Sequence, residues 1–310
     1  PGQDIRYIEE KVSSASNYLN KIWNSARYVL DVCGENFEPI DIDFDKLEPI
    51  EKDILTKMSL TIKTVSSSMD KYEYSMASSH LYNFVYDDFC STYLEMSKVS
   101  LQGNNEEYKK TVKSILLYIL KNIIIMIYPY APFIGEELYL ALPNHKKSIM
   151  LETYPEAIKY NVGLEGFKSL SEVENLYTMI QDIRNYKVSN KLAPNYKLRF
   201  VIETKEKPFN GFENYLFRFS FAKEIEVVSE SKSNGIKYVY SEMNLYIEDE
   251  ISEDEIKAKK DKDIAFLKAE IARGEGMLNN PNFVSKAPKE KVELERKKLA
   301  DNKAKLAQIE

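Results

Sequence analysis

Ile5, Ile8, Val12, Ala15, Leu19, Ile22, Ala26, Val29 and Cys33 recur at three- and four-residue intervals until Gly34. That spacing lines one side of an α-helix and no side of a strand, and a glycine just past the last periodic residue is a natural helix stop. The same texture returns at about 47–69, 71–99 and 106–128, separated by short turns such as Gln102-Gly103-Asn104-Asn105. Four long amphipathic helices with short connections bury their apolar stripes against one another, which predicts a helical bundle. The apolar run 114–130 is interrupted by Lys121 and Asn122, and Pro129 ends it short of the roughly 20 residues that a membrane span needs. It reads as a buried bundle helix, and no membrane partner is expected.

After Pro143 the texture changes. A helix is predicted over 170–187, β-type runs at 198–203, 224–229, 236–240 and 245–247, and an aromatic helical segment near 209–219. This pattern predicts a small α+β module. The tail differs in charge as well as in pattern. The whole chain is acidic at −6, yet residues 256–310 hold 14 basic and 9 acidic residues, a surplus of five positive charges that leaves the rest at −11. Ile264, Leu267, Ile271 and Leu278 fall on a heptad seam, Asn279-Asn280-Pro281-Asn282 makes a turn, and Val292, Leu299, Leu306 and Ile309 resume the seam. Two helices folded back on each other are expected, with stripes so narrow that the hairpin projects into solvent. Gly274 and Gly276 weaken its first arm by about 1 kcal/mol each relative to alanine. The expected fold class is therefore mainly α: a helical bundle over 1–165, a small α+β module over 166–250, and a C-terminal antiparallel coiled-coil hairpin over 251–310.

The residues offer little for catalysis. Two cysteines, Cys33 and Cys90, and two histidines, His80 and His145, support neither a disulfide framework, nor a four-ligand zinc site, nor a triad. There is no glycine-rich phosphate loop and no nucleophile elbow. The pairs Asp87-Asp88 and Glu136-Glu137 are adjacent in sequence and diverge on a helix. Lys57-Met58-Ser59 starts like an ATP-binding KMSKS loop, but Leu60 follows it and the tripeptide sits within a helical pattern. No catalytic residue, metal ligand or cofactor is expected in this chain. It opens on Pro1-Gly2-Gln3-Asp4, without Met and without a secretory pattern, which predicts a cytoplasmic fragment of something longer.

Surfaces remain. On the first helix Leu19, Ile22, Ala26 and Leu30 cluster on one side, and Lys21, Asn24, Arg27 and Tyr28 gather opposite. Cations for phosphates, an amide for base edges and a ring for an unstacked base suit single-stranded RNA; an ordinary solvated face with Tyr28 folded back is the competing reading. In the hairpin, Arg273, Lys286, Arg296, Lys297 and Lys298 flank Phe283, as a nucleic-acid-binding tip or as a solvated coiled coil whose Phe283 caps its own turn.

Asn20-Lys21-Ile22-Trp23-Asn24-Ser25-Ala26-Arg27-Tyr28 resembles the NKxWNAxRF signature that opens the anticodon-binding bundle of class I aminoacyl-tRNA synthetases, valyl enzymes in particular. PGQDIRYIEEKV, just before it, resembles the segment leaving their catalytic domain. Residues 87–98, DDFCSTYLEMSK, are similar to the family's D-x-FCDWYLELSK, and 128–139, YPYAPFIGEELY, to its HPFMPFITEELW. Ile183-Arg184-Asn185 through Pro194 resembles the opening of the small domain after the bundle. Residues 277–288 and 292–299 resemble the KLSNxxFVxKAPxxVVxxERxKL of the valyl coiled-coil arm. Ser25, Tyr28, Ser91-Thr92 and Tyr139 depart from the commoner Ala, Phe, Asp-Trp and Trp, and the HIGH and KMSKS motifs and the editing domain have no counterpart.

The resemblance implies a tRNA-binding fragment, inert alone, of an enzyme that joins an amino acid to tRNA using ATP and Mg2+. Its bundle meets the anticodon through Lys21, Asn24, Arg27 and Tyr28. Its arm reaches the outer corner of the tRNA through Arg273 and Lys298, with Phe283, Lys286 and Arg296 beside them. The implied partners are a valine-specific tRNA and the catalytic domain of the same chain, with no DNA and a monomeric state. Two other readings compete: the same region of an isoleucyl, leucyl or methionyl enzyme, and a non-catalytic protein-interaction module.

Overall fold

The computed structural model describes residues 7–248 apart from 161, and 268, 271–278, 296 and 299. The chain divides into two compact units between Ile247 and Glu248.

In the first unit, α1 (Glu9–Cys33) buries Ile22, Ser25, Ala26, Val29 and Cys33, and Gly34, at φ 83°, ends it by donating its N–H to the Leu30 carbonyl at 2.8 Å. Its expected stripe is only half used, since Ile8, Val12 and Ala15 are exposed; among the described residues nothing covers those first turns. α2 (Pro49–Asp70) starts with proline at its first turn, where a missing N–H costs nothing. A break and three helical segments follow: α3 (Tyr74–Asn83), a π-helical stretch (Phe84–Tyr93) and α4 (Leu94–Leu101). α5 (Glu106–Ile127) is capped by the Asn105 side chain, which accepts from the Tyr108 N–H at 3.0 Å. Val112, Ile115, Leu116, Ile119, Ile123 and Ile124 are almost wholly buried, so the most apolar run of the sequence is the bundle's central helix. α6 (Pro132–Leu140) completes the bundle, and no helix among the described residues is long and apolar enough to cross a membrane.

The helix expected over 71–99 runs without interruption from Tyr74 to Leu101, and differs from the expectation in its start, three residues later, and in its π-helical middle. Tyr72 adopts φ 60°, the Glu73 N–H closes on the Ser68 carbonyl at 2.8 Å, and α3 then turns back against α2. Side-chain periodicity carries no sign of a left-handed residue. Within 84–93 the Ser91 hydroxyl donates to the Tyr86 carbonyl at 2.6 Å and the Thr92 hydroxyl to the Asp87 carbonyl at 2.8 Å. Both bonds reach back five residues and support the wider π turn.

α7 (Gly163–Ser189), which starts earlier than its expected 170, packs on α2 and leads into a sheet of order β2-β1-β4-β3. β1 (Leu198–Thr204) runs parallel to β2 (Ala222–Val228), with α8 (Phe212–Ser220) between them in sequence; β3 (Ile236–Val239) runs antiparallel to β4 (Met243–Glu248), Ile236 opposite Ile247. The buried ammonium of Lys187 donates to the Pro194 carbonyl at 3.0 Å and the Ser220 carbonyl at 2.6 Å, fastening the end of α7 to the end of α8; burial lowers its pKa.

In the second unit, residues 271–278 are helical straight through Gly274 and Gly276, with Ile271 half-buried and Gly274 buried. Lys268, Arg296 and Leu299 are also helical, and the remainder of the expected hairpin, including its turn at 279–282, lies outside the described residues.

Candidate nucleic-acid interface

Three of the four candidates on α1, Lys21, Asn24 and Tyr28, meet α4 and the π-helical stretch along one cleft of about 450 Å³, whose walls also include Asn20, Glu95 and Lys98; Arg27 lies on the same helix and does not line it. Its floor is set by local packing. The Ser25 hydroxyl donates back to the Lys21 carbonyl at 2.8 Å, and its oxygen lies 3.0 Å from the Cys90 sulfur, which locks α1 against the π-helical stretch. Ser25 therefore takes part in the buried contact, where the expectation from periodicity gave it no role.

Asn24 and Arg27 are exposed and make no hydrogen bond or ion pair with another described residue. Lys21 and Tyr28 are half-buried, and here geometry refines the simple picture of one free face. The Lys21 ammonium donates to the Ser91 hydroxyl at 2.7 Å and the Tyr86 carbonyl at 3.2 Å, and it sits 3.2 Å from the centre of the Tyr86 ring. All three partners are neutral, so its charge stays uncompensated while its position is fixed. The Tyr28 ring packs against the bundle core with the Lys98 ammonium 5.4 Å from its centre. Burial pushes the Tyr28 phenol up, against the opposing charge of Lys98, so it stays neutral and lines the cleft as an uncharged ring. Behind Lys21 an aromatic stack continues, Tyr18 against Tyr82 at 4.6 Å and Tyr82 against Tyr86 at 5.4 Å.

Lys98 and Glu95, 2.5 Å apart, form the opposite wall. Neither is marked by the sequence as a site residue, because only folding brings α4 to α1. In the arm, Arg273 is exposed on the helical stretch 271–278, where its guanidinium lies 3.1 Å from the Met277 sulfur one turn on, and Arg296 is exposed at a helical position. Phe283, Lys286 and Lys298 lie outside the described residues.

Other candidates find ordinary partners. Lys57 lies inside α2 and pairs with Asp53 and Asp88, so the tripeptide Lys57-Met58-Ser59 is helix interior. Glu136 accepts from the Ser148 hydroxyl and the Ile149 N–H, and His145 contacts the adjacent Lys146 carbonyl. Among the described residues no group of three or more His, Cys, Asp or Glu side chains gathers as a metal site would require.

Residues 51–202 match the family model described as the anticodon-binding domain of tRNA ligase, and residues 253–310 the one described as the valyl tRNA synthetase tRNA binding arm. The chain thus joins an anticodon-binding domain of the tRNA-ligase class to a tRNA-binding arm. It is 32% identical over 318 positions to the valine–tRNA ligase of Oceanobacillus iheyensis, with all of this chain and 36% of that protein covered. It is 34% identical over 312 positions to that of Staphylococcus aureus strain MRSA252, covering 97% and 35%, and 34% identical over 310 positions to that of Bacillus thuringiensis subsp. konkukian, with the same coverage. The chain belongs to the valine–tRNA ligase family and spans about a third of the length of these relatives. These matches take in α1, which precedes the anticodon-binding match, and so carry the family assignment across the cleft.

Proposed function

We propose that this chain is the tRNA-holding part of a valine–tRNA ligase. Its bundle reads the anticodon of a valine tRNA and its arm grips the outer corner of the same molecule. The observation that carries the reading is the cleft on α1. In it an amide, Asn24, stands beside a neutral ring, Tyr28, and Lys21 is held in place by neutral partners that leave its charge available; Arg27, exposed on the same helix next to Tyr28, has no ion-pair partner among the described residues. Arg27 and Lys21 hold phosphates, Asn24 meets a base edge, and Tyr28 stacks a splayed base. Arg273 and Lys298, with Phe283, Lys286 and Arg296 beside them, supply grip that is independent of sequence. The functional division is bundle 1–165, α+β module 166–250 and arm 251–310. The parent enzyme attaches valine to tRNA in the cytoplasm as a monomer, with ATP and Mg2+ serving the catalytic domain of the same protein; this region alone supplies binding and no chemistry.

Titration of the chain with a valine tRNA transcript and an anticodon-swapped copy, at two salt concentrations, tests this. Binding is expected to be selective and salt-sensitive. Asn24→Ala is expected to reduce the preference for the valine anticodon about tenfold, while Tyr28→Ala weakens binding about tenfold and Lys21→Ala weakens both RNAs alike; an unchanged preference in Asn24→Ala would strike that residue from the reader. Arg273→Ala is expected to weaken both RNAs alike and lower the salt slope by about one contact. A change in discrimination would break the division of labour between bundle and arm.

A further inference from the structure

We propose that the α+β module takes part in the same RNA site: Arg218 of α8, placed by Gln102 beside Lys98, grips a phosphate of the strand whose base lies against Tyr28. This inference rests on the reading of α1 as the RNA-binding helix.

The placement follows from three contacts. Lys98 stands over the Tyr28 ring at 5.4 Å. Gln102, four residues on and just past the end of α4, lies on the same side of that helix as Lys98. Its side-chain oxygen accepts from the Arg218 Nη1 at 2.6 Å. Arg218 therefore stands about one helical turn beyond Lys98, along a line that starts at Tyr28. The junction is firm, because α8 packs against α4 and the hydroxyls of Ser100 and Tyr215 lie 3.4 Å apart across it.

The guanidinium is held and still open to a ligand. The Phe219 ring lies 5.9 Å from its central carbon and Gln102 holds one nitrogen. Arg218 is exposed and has no carboxylate partner among the described residues. Lys98, by contrast, is matched by Glu95. The cation with charge to spare at this end of the cleft is thus Arg218. A planar fork fixed by a neutral acceptor suits two oxygens of one phosphate, and its ordering cost is already met within the fold. The ligand class is single-stranded RNA, contacted at its backbone, so the contact adds affinity without choosing among bases.

Arg218 and Lys98 also occupy the last turns of their helices, where a cation favours the helix dipole, so the test must separate folding from binding. The full chain is titrated with a stem-loop RNA carrying a valine anticodon, across a salt series, and each variant is melted in parallel. Arg218→Ala is expected to weaken binding about tenfold and to lower the slope of log affinity against log salt by about 0.7, with anticodon preference unchanged. Arg218→Lys is expected to keep the slope and recover part of the affinity, and Gln102→Ala to show a smaller loss with the slope kept. If Arg218→Ala binds with the parent affinity and slope while Tyr28→Ala loses binding, the module does not touch the RNA and the proposal fails alone. The same holds if Arg218→Ala changes only the melting temperature. If the parent chain does not bind the stem-loop, the reading of α1 fails and this inference falls with it.

Discussion

Replacing Lys57 with alanine is expected to cost about 2–3 kcal/mol of stability, less than the loss of a partner in a fully buried ion pair because Asp53 is buried while Lys57 is half-buried. The Lys57 ammonium lies 3.0 Å from the Asp53 carboxylate, 3.5 Å from that of Asp88 and 5.1 Å from the centre of the Tyr177 ring. It joins α2, the π-helical stretch and α7. Asp53 is only 4% exposed, and burial already raises its pKa against the pull of Lys57. Without the ammonium the carboxylate must stay charged in an apolar setting or take up a proton, and each route is unfavourable at neutral pH. Urea unfolding followed by Trp23, the one tryptophan of the sequence and part of α1, reads the loss. Adding Asp53→Asn to Lys57→Ala is expected to recover most of it, because the stranded charge is gone. A Lys57→Ala midpoint close to that of the parent would show that Asp53 does not depend on this cation.

The second large effect depends on pH. Glu51 is fully buried in α2; one of its oxygens accepts from the Tyr108 hydroxyl at 2.8 Å, and the other has no hydrogen-bond partner among the described residues. The same hydroxyl accepts from the Glu48 N–H at 2.8 Å. Burial pushes the Glu51 carboxyl up to about 7 from an ordinary 4.5, with the Tyr108 hydrogen bond acting against it. Between those values the folded chain keeps a proton that the unfolded chain has lost. The contribution of Glu51 is therefore fully present below pH 4.5 and is lost as pH rises through 7, by on the order of 3 kcal/mol. Glu51→Gln cannot ionise, so it is expected to match the parent near pH 4.5 and to exceed it in stability by about that amount at pH 8. Glu152, which the Tyr139 hydroxyl and two lysines hold down at about 2, acts in the opposite sense and below this window. Urea midpoints at pH 5, 6, 7 and 8 decide the matter: parallel curves for parent and variant would show that Glu51 does not titrate in this range.

Much of this architecture was legible because apolar spacing reports burial directly. α1, α2 and α5 begin and end within a few residues of their expected limits, and the four strands fall where β-branched and aromatic runs place them. What spacing cannot report is backbone geometry and the absence of a neighbour. Tyr72 in the left-handed region and the π-helical stretch leave side-chain patterns that still read as α-helix. Ile8 and Val12 obey the helical period yet stay exposed, since periodicity names a face without naming what covers it. The candidate site divides in the same way. Lys21, Asn24, Arg27 and Tyr28 share one stretch of α1 and are grouped by helical angle alone, which does not tell that Arg27 stays outside the cleft the other three line. Lys98 and Arg218 reach that stretch only through tertiary packing, so no local pattern marks them.

The π-helical stretch also bears on how the length of this region can change. A π turn holds about one more residue than the α turn it replaces. Losing a single residue between Phe84 and Tyr93 lets the turn close in α register, with the surplus taken up inside the helix and little rotation passed to α3 or α4. The same loss in the middle of α5, which is α-helical throughout, turns everything beyond it by about 100° and carries its isoleucines out of the core. Single-residue length variation among relatives is therefore expected to collect at 84–93, beside the cleft wall that carries Cys90 and Ser91, and to spare α5.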